Sequence, residues 1–321
     1  MHGLRLFVPA TLAVIALAFA ATAGQKLRFA PKYLPGAIFY YQIESRTTTT
    51  GKTTTPITNP EGRSKASQVI DLLVRIDVLD EPPRLESGSG AARLRVMYEK
   101  SQAQSESDAF DPRGSSLEDQ YRRIQGRSIE FTIEPSGQLA DFKGLDQLFP
   151  DRSAAAPAIS WLDGLSSGSA FPKNGISIGQ KWRGKRPVPG TPLSGLTWLT
   201  ESTYLRNEPC DPRGSAPRAG ASPGACAVIL TRFEISRHGS PHSDATPEDY
   251  RRNGLRTSGA WTGSGESLDS ISLADGLLVS STQTSTQEMD YEIVSASTGS
   301  SIHRTGRIQS QSVITLAPNS P

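Results

Sequence analysis

The sequence contains few of the residue types that most often mark a catalytic or metal site. Of its 321 residues, only 2 are cysteine and 4 are histidine, and histidine is the commonest protein ligand for metals. The 34 basic and 32 acidic residues leave a net charge of +2, so the chain lacks the positive field expected of a nucleic-acid-binding protein. We therefore expect no cofactor and no nucleic-acid partner.

Long apolar runs are confined to the N-terminus. His2 and Arg5 form a basic start, residues 6–20 are almost entirely apolar, and Ala21-Thr22-Ala23 fits an A-x-A cleavage site. This layout is typical of a secretory signal peptide, and the run is shorter than the ~20 residues of a transmembrane helix. We expect cleavage near Ala23, no transmembrane span in the mature chain, and a periplasmic or extracellular location.

Helical periodicity is also scarce, whereas 29 glycines and 23 prolines accompany abundant serine and threonine. Alternation with a period of two recurs instead, and it is typical of strands with one buried face. We predict an all-β fold with long antiparallel strands in a curved sheet or an open half barrel, because curling protects exposed strand edges. The strands that this pattern predicts are Phe39–Ile43, Ile70–Val78, Ala92–Glu99, Leu196–Leu205, Ala227–Ile235, Leu277–Ile293 and Ile302–Leu316.

The chain divides into two β-rich halves and a connector, which we expect to form one continuous domain. Residues 1–23 are the predicted signal peptide, 24–142 an N-terminal β-meander, 143–180 a helical or loop connector, and 181–321 a C-terminal β-meander. The connector holds the only stretches for which we predict helix, Lys143–Leu148 and Pro157–Leu165.

Two features of the strand pattern leave alternatives open. The hairpin-like segments Phe131–Leu139 and Ser270–Leu278 resemble each other, which fits either an internal duplication or the ordinary turns of any meander. Residues 281–287 (STQTSTQ) lie inside a predicted strand but carry no apolar alternation. Either both faces of that strand are solvated, or one face lines a polar interior.

The two cysteines are predicted to form a disulfide. Cys210 and Cys226 flank a loop rich in proline and glycine, between two predicted strands. Export favours their pairing, and closing a loop of ~15 residues contributes about 3 kcal/mol in the chain-entropy description.

Two short motifs have the content of functional sites but an unsuitable context. His238 and His242, followed by Asp244, could bind a metal ion, but Gly239 and Pro241 exclude a helix there and favour a solvated loop. Residues 164–168 (GLSSG) match the hydrolase G-x-S-x-G pattern, but no strand–helix alternation surrounds them, which favours a linker. We assign no catalytic and no metal-binding residue.

Residues 181–186 (KWRGKR) form the one dense basic patch that contains an aromatic residue. Trp182 could sit at an anionic lipid head group or stack on a sugar. The alternative is a strand that buries Trp182 while its basic neighbours face water.

Several short segments occur in an order that resembles exported bacterial β-rich proteins with no assigned activity. The matching residues are Phe39–Ile43, Pro135–Leu139, Pro172, Ile178–Trp182 and Gly263–Leu278. In gross plan the chain is also similar to the half-barrel lipid carriers of the periplasm. These resemblances imply a β-rich protein of the cell envelope.

We therefore expect an exported, non-enzymatic envelope protein that binds an apolar or amphipathic ligand, such as a lipid, on a concave sheet face. A structural or protein-interaction module without a ligand cavity is the alternative, and a carbohydrate-active hydrolase is the third. The residues expected to contact the ligand are Ile70, Leu72, Val74, Ile76, Val78, Leu94, Val96 and Trp182.

Overall fold

The computed structural model shows an all-β protein. It describes residues 26–29, 31–54, 62–79, 91–108, 112–134, 138–148, 161–162, 171–172, 174–188, 191–210 and 224–317. The strands are β1 (Ile38–Thr54), β2 (Arg63–Val78), β3 (Ala92–Ser107), β4 (Ser128–Ile133), β5 (Leu139–Lys143), β6 (Lys181–Pro187), β7 (Leu196–Pro209), β8 (Ala225–Arg237), β9 (Leu255–Ser272), β10 (Leu278–Ser295) and β11 (Ser301–Ala317). The helices among these residues are α1 (Pro112–Ile124), α2 (Leu145–Leu148) and α3 (Glu248–Arg252).

All eleven strands belong to one antiparallel sheet in the order β5-β4-β3-β2-β1-β11-β10-β9-β8-β7-β6. Each half of the chain is a meander in which consecutive strands are neighbours. The halves join where β1 pairs with β11, from Tyr40 opposite Ala317 to Thr54 opposite His303. The sheet is open, with β5 and β6 at its edges, and the predicted curved antiparallel sheet is confirmed.

One face of the sheet, here called the inner face, carries most of the buried side chains. Tyr41 and Ile43 define it on β1, and the register extends it across the sheet. Its largest buried cluster joins strands of both halves, including Phe131 on β4 and Tyr204 on β7. The Tyr41 hydroxyl also donates to the carbonyl of Leu278 on β10 at 2.8 Å. The end of the sheet that holds this cluster is called the apolar end.

The N-terminal segment before β1 covers the apolar end. Leu27 pairs with Ile176 through backbone hydrogen bonds in both directions. The Phe29 ring packs 5.8 Å from the ring of Tyr204, and the Lys32 ammonium donates to the carbonyl of Ala274 at 2.8 Å. This segment therefore ties the first residues of the described chain to the C-terminal half.

The structure changes two details of the sequence-based expectations. The predicted first strand, Phe39–Ile43, is longer than expected, because β1 continues through the following threonine-rich residues to Thr54 and pairs on both sides. Helix α1 was not predicted. Its residues Leu117, Tyr121 and Ile124 share one face and pack into the main cluster, while the Glu118 carboxylate accepts a hydrogen bond from the Ser105 backbone N–H at 3.0 Å.

The expected disulfide and the short helix near residue 145 are present. The sulfur atoms of Cys210 and Cys226 are 2.02 Å apart, at the ends of β7 and β8. Helix α2 lies inside the predicted Lys143–Leu148 turn. Of the second predicted helix, Pro157–Leu165, only residues 161–162 lie in the described part, and the predicted signal peptide lies outside it.

Glycine on the inner face makes room for aromatic rings from neighbouring strands. A Cβ atom at Gly265 would lie 2.4 Å from Phe233 Cζ and 2.2 Å from the Thr284 carbonyl oxygen. Phe233 in turn packs against Trp198, with ring centroids 4.7 Å apart. Gly265 therefore leaves room on β9 for the Phe233 ring of β8, which packs against Trp198 of β7.

We predict that Gly265→Val destabilises the protein by about 1–3 kcal/mol, because the new side chain overlaps Phe233 and the β10 backbone. The measurement is the midpoint of urea unfolding. Ser264→Val is the matched control, since Ser264 is the exposed neighbour on the opposite face of β9. Equal destabilisation by both substitutions would contradict the packing described here.

Candidate functional site

The strand register aligns a row of polar side chains across the inner face. Each residue of the row is the direct cross-strand partner of the next, over six neighbouring strands from β7 to β1. The row is Ser202, Thr231, Ser267, Gln283, Ser312 and Ser45. All except the buried Ser202 are partly exposed, so the row is accessible to water or to a ligand.

A second polar row lies beside the first, two residues farther from the apolar end. It contains Ser285, Ser310, Thr47 and Gln68, which are successive partners on β10, β11, β1 and β2. The hydroxyl oxygens of Thr47 and Ser310 are 3.3 Å apart, and those of Ser202 and Thr231 are 2.8 Å apart. The two rows together are called the polar band.

The polar band separates two apolar clusters. On one side, Tyr204, Ile229 and Ile43 belong to or border the cluster at the apolar end. On the other side, Leu196, Ile235, Met289 and Tyr291 form a smaller buried cluster, against which Trp198 and Trp261 pack partly buried. A polar strip between two apolar regions is not needed for folding, since apolar residues there would bury more surface.

Asp269 lies at the border between the polar band and the apolar end. It follows Ser267 by two residues on β9 and therefore also points to the inner face. The Ser281 hydroxyl donates to one carboxylate oxygen at 2.6 Å, and the Ser267 hydroxyl donates to the other at 3.1 Å. Its row neighbours are Ile229 and Ser281.

Burial raises the pKa of Asp269 above its ordinary value, because a desolvated carboxylate is less easily ionised. The hydrogen bonds from Ser281 and Ser267 oppose this effect and lower the pKa, but they do not cancel it. The side chain still keeps partial contact with solvent.

Asp269 is the only acidic residue at an inner position among the described residues of β1, β2, β4 and β8–β11. No ion pair joins it to a basic side chain in the described part of the chain. Desolvating an unpaired charge costs free energy. Such a residue is therefore a candidate for a functional role.

The structure places the seven predicted wall residues in the packed core. Leu72, Val74, Ile76, Val78, Leu94 and Val96 are buried with at most 4% exposure, and Ile70 is partly buried against them. They share a cluster with Tyr121 and Ile124 of α1 and with Leu162. Ligand binding at these residues stays a prediction, and it would require a ligand to displace these side chains.

Trp182 also points inward, while its basic neighbours are exposed. Its ring centroid is 5.6 Å from that of Phe171, at the margin of the main cluster. Lys181 and Arg183 both pair with Glu201 on β7, at 3.3 and 2.9 Å. This arrangement fits the interpretation of a strand with one buried aromatic residue and a solvated basic face.

The other motifs considered from the sequence do not converge on a site. His238 and His242 are exposed in the connection between β8 and α3. Within the described ranges, no group of three or more His, Cys, Asp and Glu side chains could hold a metal ion. The G-x-S-x-G motif at residues 164–168 lies outside the described residues.

An open trough of about 780 Å³ lies on the outer side of the sheet, far from the apolar end. Lys52 and Lys65 line one side of it, and Glu288 and Asp290 line the other. His303 Nε2 lies 2.7 Å from an Asp290 carboxylate oxygen. Because charges of both signs surround this trough, it presents no uniform field to a ligand.

The fold and the site together define an all-β protein with an open curved sheet and a polar band on its inner face. No protein-family model matches the chain, and a search of curated proteins finds no significant match. No helix in the described residues is long and apolar enough to cross a membrane.

Sequence reasoning did not single out Asp269. The open alternative for residues 281–287 included a polar interior, and Ser281, Gln283 and Ser285 do point inward. The missing step was the register of β9, which places Asp269 opposite Ser281. The available signal was the Ser267-Leu268-Asp269 alternation, in which the polar residues, and not the leucine, face inward.

We predict that Asp269→Asn stabilises the protein near neutral pH and that this gain fades in acid. The raised pKa means that the folded state binds a proton more tightly than the unfolded chain, so the penalty grows as pH rises above about 3.9. The measurement compares the melting temperatures of the variant and the wild type at about pH 4 and pH 7.5. Each kcal/mol of gained stability should raise the melting temperature by about 2–4 °C.

The control for this prediction is Glu266→Gln, which removes one negative charge from an exposed position on the outer side of β9. The control should change the melting temperature little at either pH. A loss of stability in Asp269→Asn that is largest near neutral pH would contradict the assignment of Asp269 as an electrostatically unfavourable residue.

Proposed function

We propose that this chain is an exported, non-enzymatic binding protein whose inner sheet face holds a hydroxyl-rich ligand of the saccharide class. The observation that carries the proposal is the polar band, in which six hydroxyl or amide side chains align in register between two apolar clusters. A continuous row of donors and acceptors suits a ligand that presents many hydroxyl groups.

Aromatic residues beside the band support a saccharide over a smaller polar ligand. Trp198 and Trp261 are partly exposed on the inner face, on the side opposite the apolar end. Trp261 Nε1 donates to Gln287 at 3.0 Å, and its ring stacks on Tyr291 at 6.0 Å. Binding sites commonly combine such apolar surfaces with a few placed polar groups.

Export is supported by the disulfide and by the N-terminal sequence pattern. Disulfides persist in oxidising compartments and are rare in the cytosol, and Cys210 is bonded to Cys226. The first 23 residues carry the pattern of a cleaved leader. Both features agree with a ligand from the cell envelope or its surroundings.

Binding is favoured over hydrolysis by the number of carboxylates on the inner face. A glycosidase needs two carboxyl groups that face the scissile bond from both sides. Asp269 is the single acidic residue at inner positions of the described strands considered above. The hydrogen bonds from two serines also hold it in place as an acceptor.

A lipid remains the competing ligand, because the inner face is amphipathic from the apolar end to the polar band. The apolar part of that face is covered by side chains of α1 and by the N-terminal segment. The polar band, in contrast, is partly exposed. The geometry therefore favours the hydrophilic ligand, and a lipid becomes an outcome of the test.

We predict that the processed protein binds saccharides on an array of bacterial envelope glycans and that Gln283→Ala weakens this binding. Gln283 lies in the middle of the polar band, so its loss should lower affinity by about 3–10-fold. Isothermal titration with the best array saccharide measures the effect. Vesicles of phosphatidylglycerol and phosphatidylethanolamine form the lipid arm.

Gln309→Ala is the matched control, since Gln309 is an exposed residue on the outer side of β11. It should leave the affinity unchanged. Binding to vesicles without binding to any saccharide would replace our assignment with a lipid ligand, and binding to neither would reject a binding role for the inner face.

A further inference from the structure

We propose that the ligand group that contacts Asp269 is a cation, such as the protonated amine of an amino sugar. This inference rests on the proposed function, because it places the cation on a ligand held by the polar band. It adds the charge of the ligand, which the polar band alone does not indicate.

The position of Asp269 makes it reachable from the polar band. It lies one row from Ser267 and Gln283, with Ser281 beside it on β10. Its side chain is partly exposed, while Ile229 and Ile271 next to it are buried at 2% exposure. A ligand in the band therefore meets this carboxylate at the point where the polar surface ends.

The two serine hydroxyls hold the carboxylate but do not neutralise it. Ser281 and Ser267 each donate one hydrogen bond, one to each oxygen. A carboxylate accepts up to about four hydrogen bonds, so each oxygen keeps capacity for a further donor. A hydroxyl group of a neutral sugar could fill that capacity, but only a cation would also compensate the charge.

The charged residues elsewhere on the inner face do not supply that compensation. Arg304 lies on β11, ten residues along the strand from Ile314, which occupies the Asp269 row, or about 33 Å away. Arg237 donates to the carbonyls of Gly259 and Ser240, and Arg186 lies over the Trp198 ring at 4.8 Å. Arg237 and Arg186 therefore contact other groups, and all three arginines lie on the side of the band opposite the apolar end.

A bound ammonium group would form a charge-assisted hydrogen bond in a partly desolvated site. Such bonds are shorter and about twice as strong as those between neutral groups. The low local dielectric that makes the free carboxylate unfavourable also strengthens its attraction to a cation. A cationic ligand therefore offsets the unfavourable desolvation of the Asp269 carboxylate, whereas a neutral ligand does not.

The test compares two oligosaccharides with the same sugar backbone, the hexamer of glucosamine, whose amines are free, and the hexamer of N-acetylglucosamine, whose amines are acetylated and uncharged. Isothermal titration at about pH 6, where the amines are protonated, should show at least about 10-fold tighter binding of the glucosamine hexamer. Asp269→Asn should reduce this preference to less than about 2-fold, because it removes the charge that favours the glucosamine hexamer.

Glu266→Gln is the matched control and should keep the full preference, since Glu266 faces the other side of β9. Equal affinity for both hexamers, binding of neither, or a preference that survives Asp269→Asn would each overturn the inference. The glycan array separates this failure from that of the proposed function. If neutral saccharides bind on the array and Gln283→Ala weakens that binding, the proposed saccharide-binding function is retained. If no saccharide binds on the array, both the proposed function and the cation inference are rejected.

Discussion

The pairing of the first strand with the last is the constraint on which the rest of the structure depends. β1 and β11 are separated by most of the chain, yet they pair without interruption from Tyr40–Ala317 to Thr54–His303. Without this pairing the two meanders would be separate sheets with two additional exposed edges. The polar band crosses this junction, since Ser45 and Ser312 are partners in it. A slip of one residue would turn Ser45 outward and bring Glu44 or Arg46 to the inner face.

The inner face combines features that favour stability with features that do not. Phe233 packs over Gly265 and against Trp198, and Tyr41 bonds to β10, so both sides of the band are well packed. Between them, the serine, threonine and glutamine side chains bury little apolar surface. Asp269 carries a desolvated charge as well. Because a stable core surrounds it, the sheet can accommodate this local cost, and sites that break the usual rules of packing are where function is expected.

Local sequence patterns predicted the strands well, because alternation reports the buried face directly. Ile70–Val78 was expected and lies in β2, and the expected strand Leu277–Ile293 lies in β10 except for its first residue. The Cys210–Cys226 bond followed from composition and predicted export. Helix α1 was missed because it is polar and only Leu117, Tyr121 and Ile124 mark its buried face. Its covering role depends on the part of β3 that extends past its pairing with β4, and no local pattern reveals where that pairing ends.

The candidate site could not be predicted in the same way, because it depends on register between strands distant in sequence. The tract at residues 281–287 indicated a polar interior only as one of two alternatives. Which of its residues face inward depends on the pairing of β10 with β9 and β11. Asp269 becomes notable only when that pairing places it beside Ser281, without a cationic partner among the described residues.

The side chains along the inner face also indicate which ligands this face excludes. Most hydroxyl and amide groups in the band are partly exposed to solvent, and an apolar ligand would leave them unpaired. Unpaired buried polar groups cost about 1–3 kcal/mol each, so several of them outweigh the gain from covering a small apolar surface. A hydroxyl-rich ligand replaces the lost water bonds instead. Since the apolar end is covered by Phe29 and by α1, the partly exposed inner surface is the one whose chemistry selects a polar ligand. The same reasoning extends to Asp269, where the group that best replaces water is one that donates hydrogen bonds and carries a positive charge.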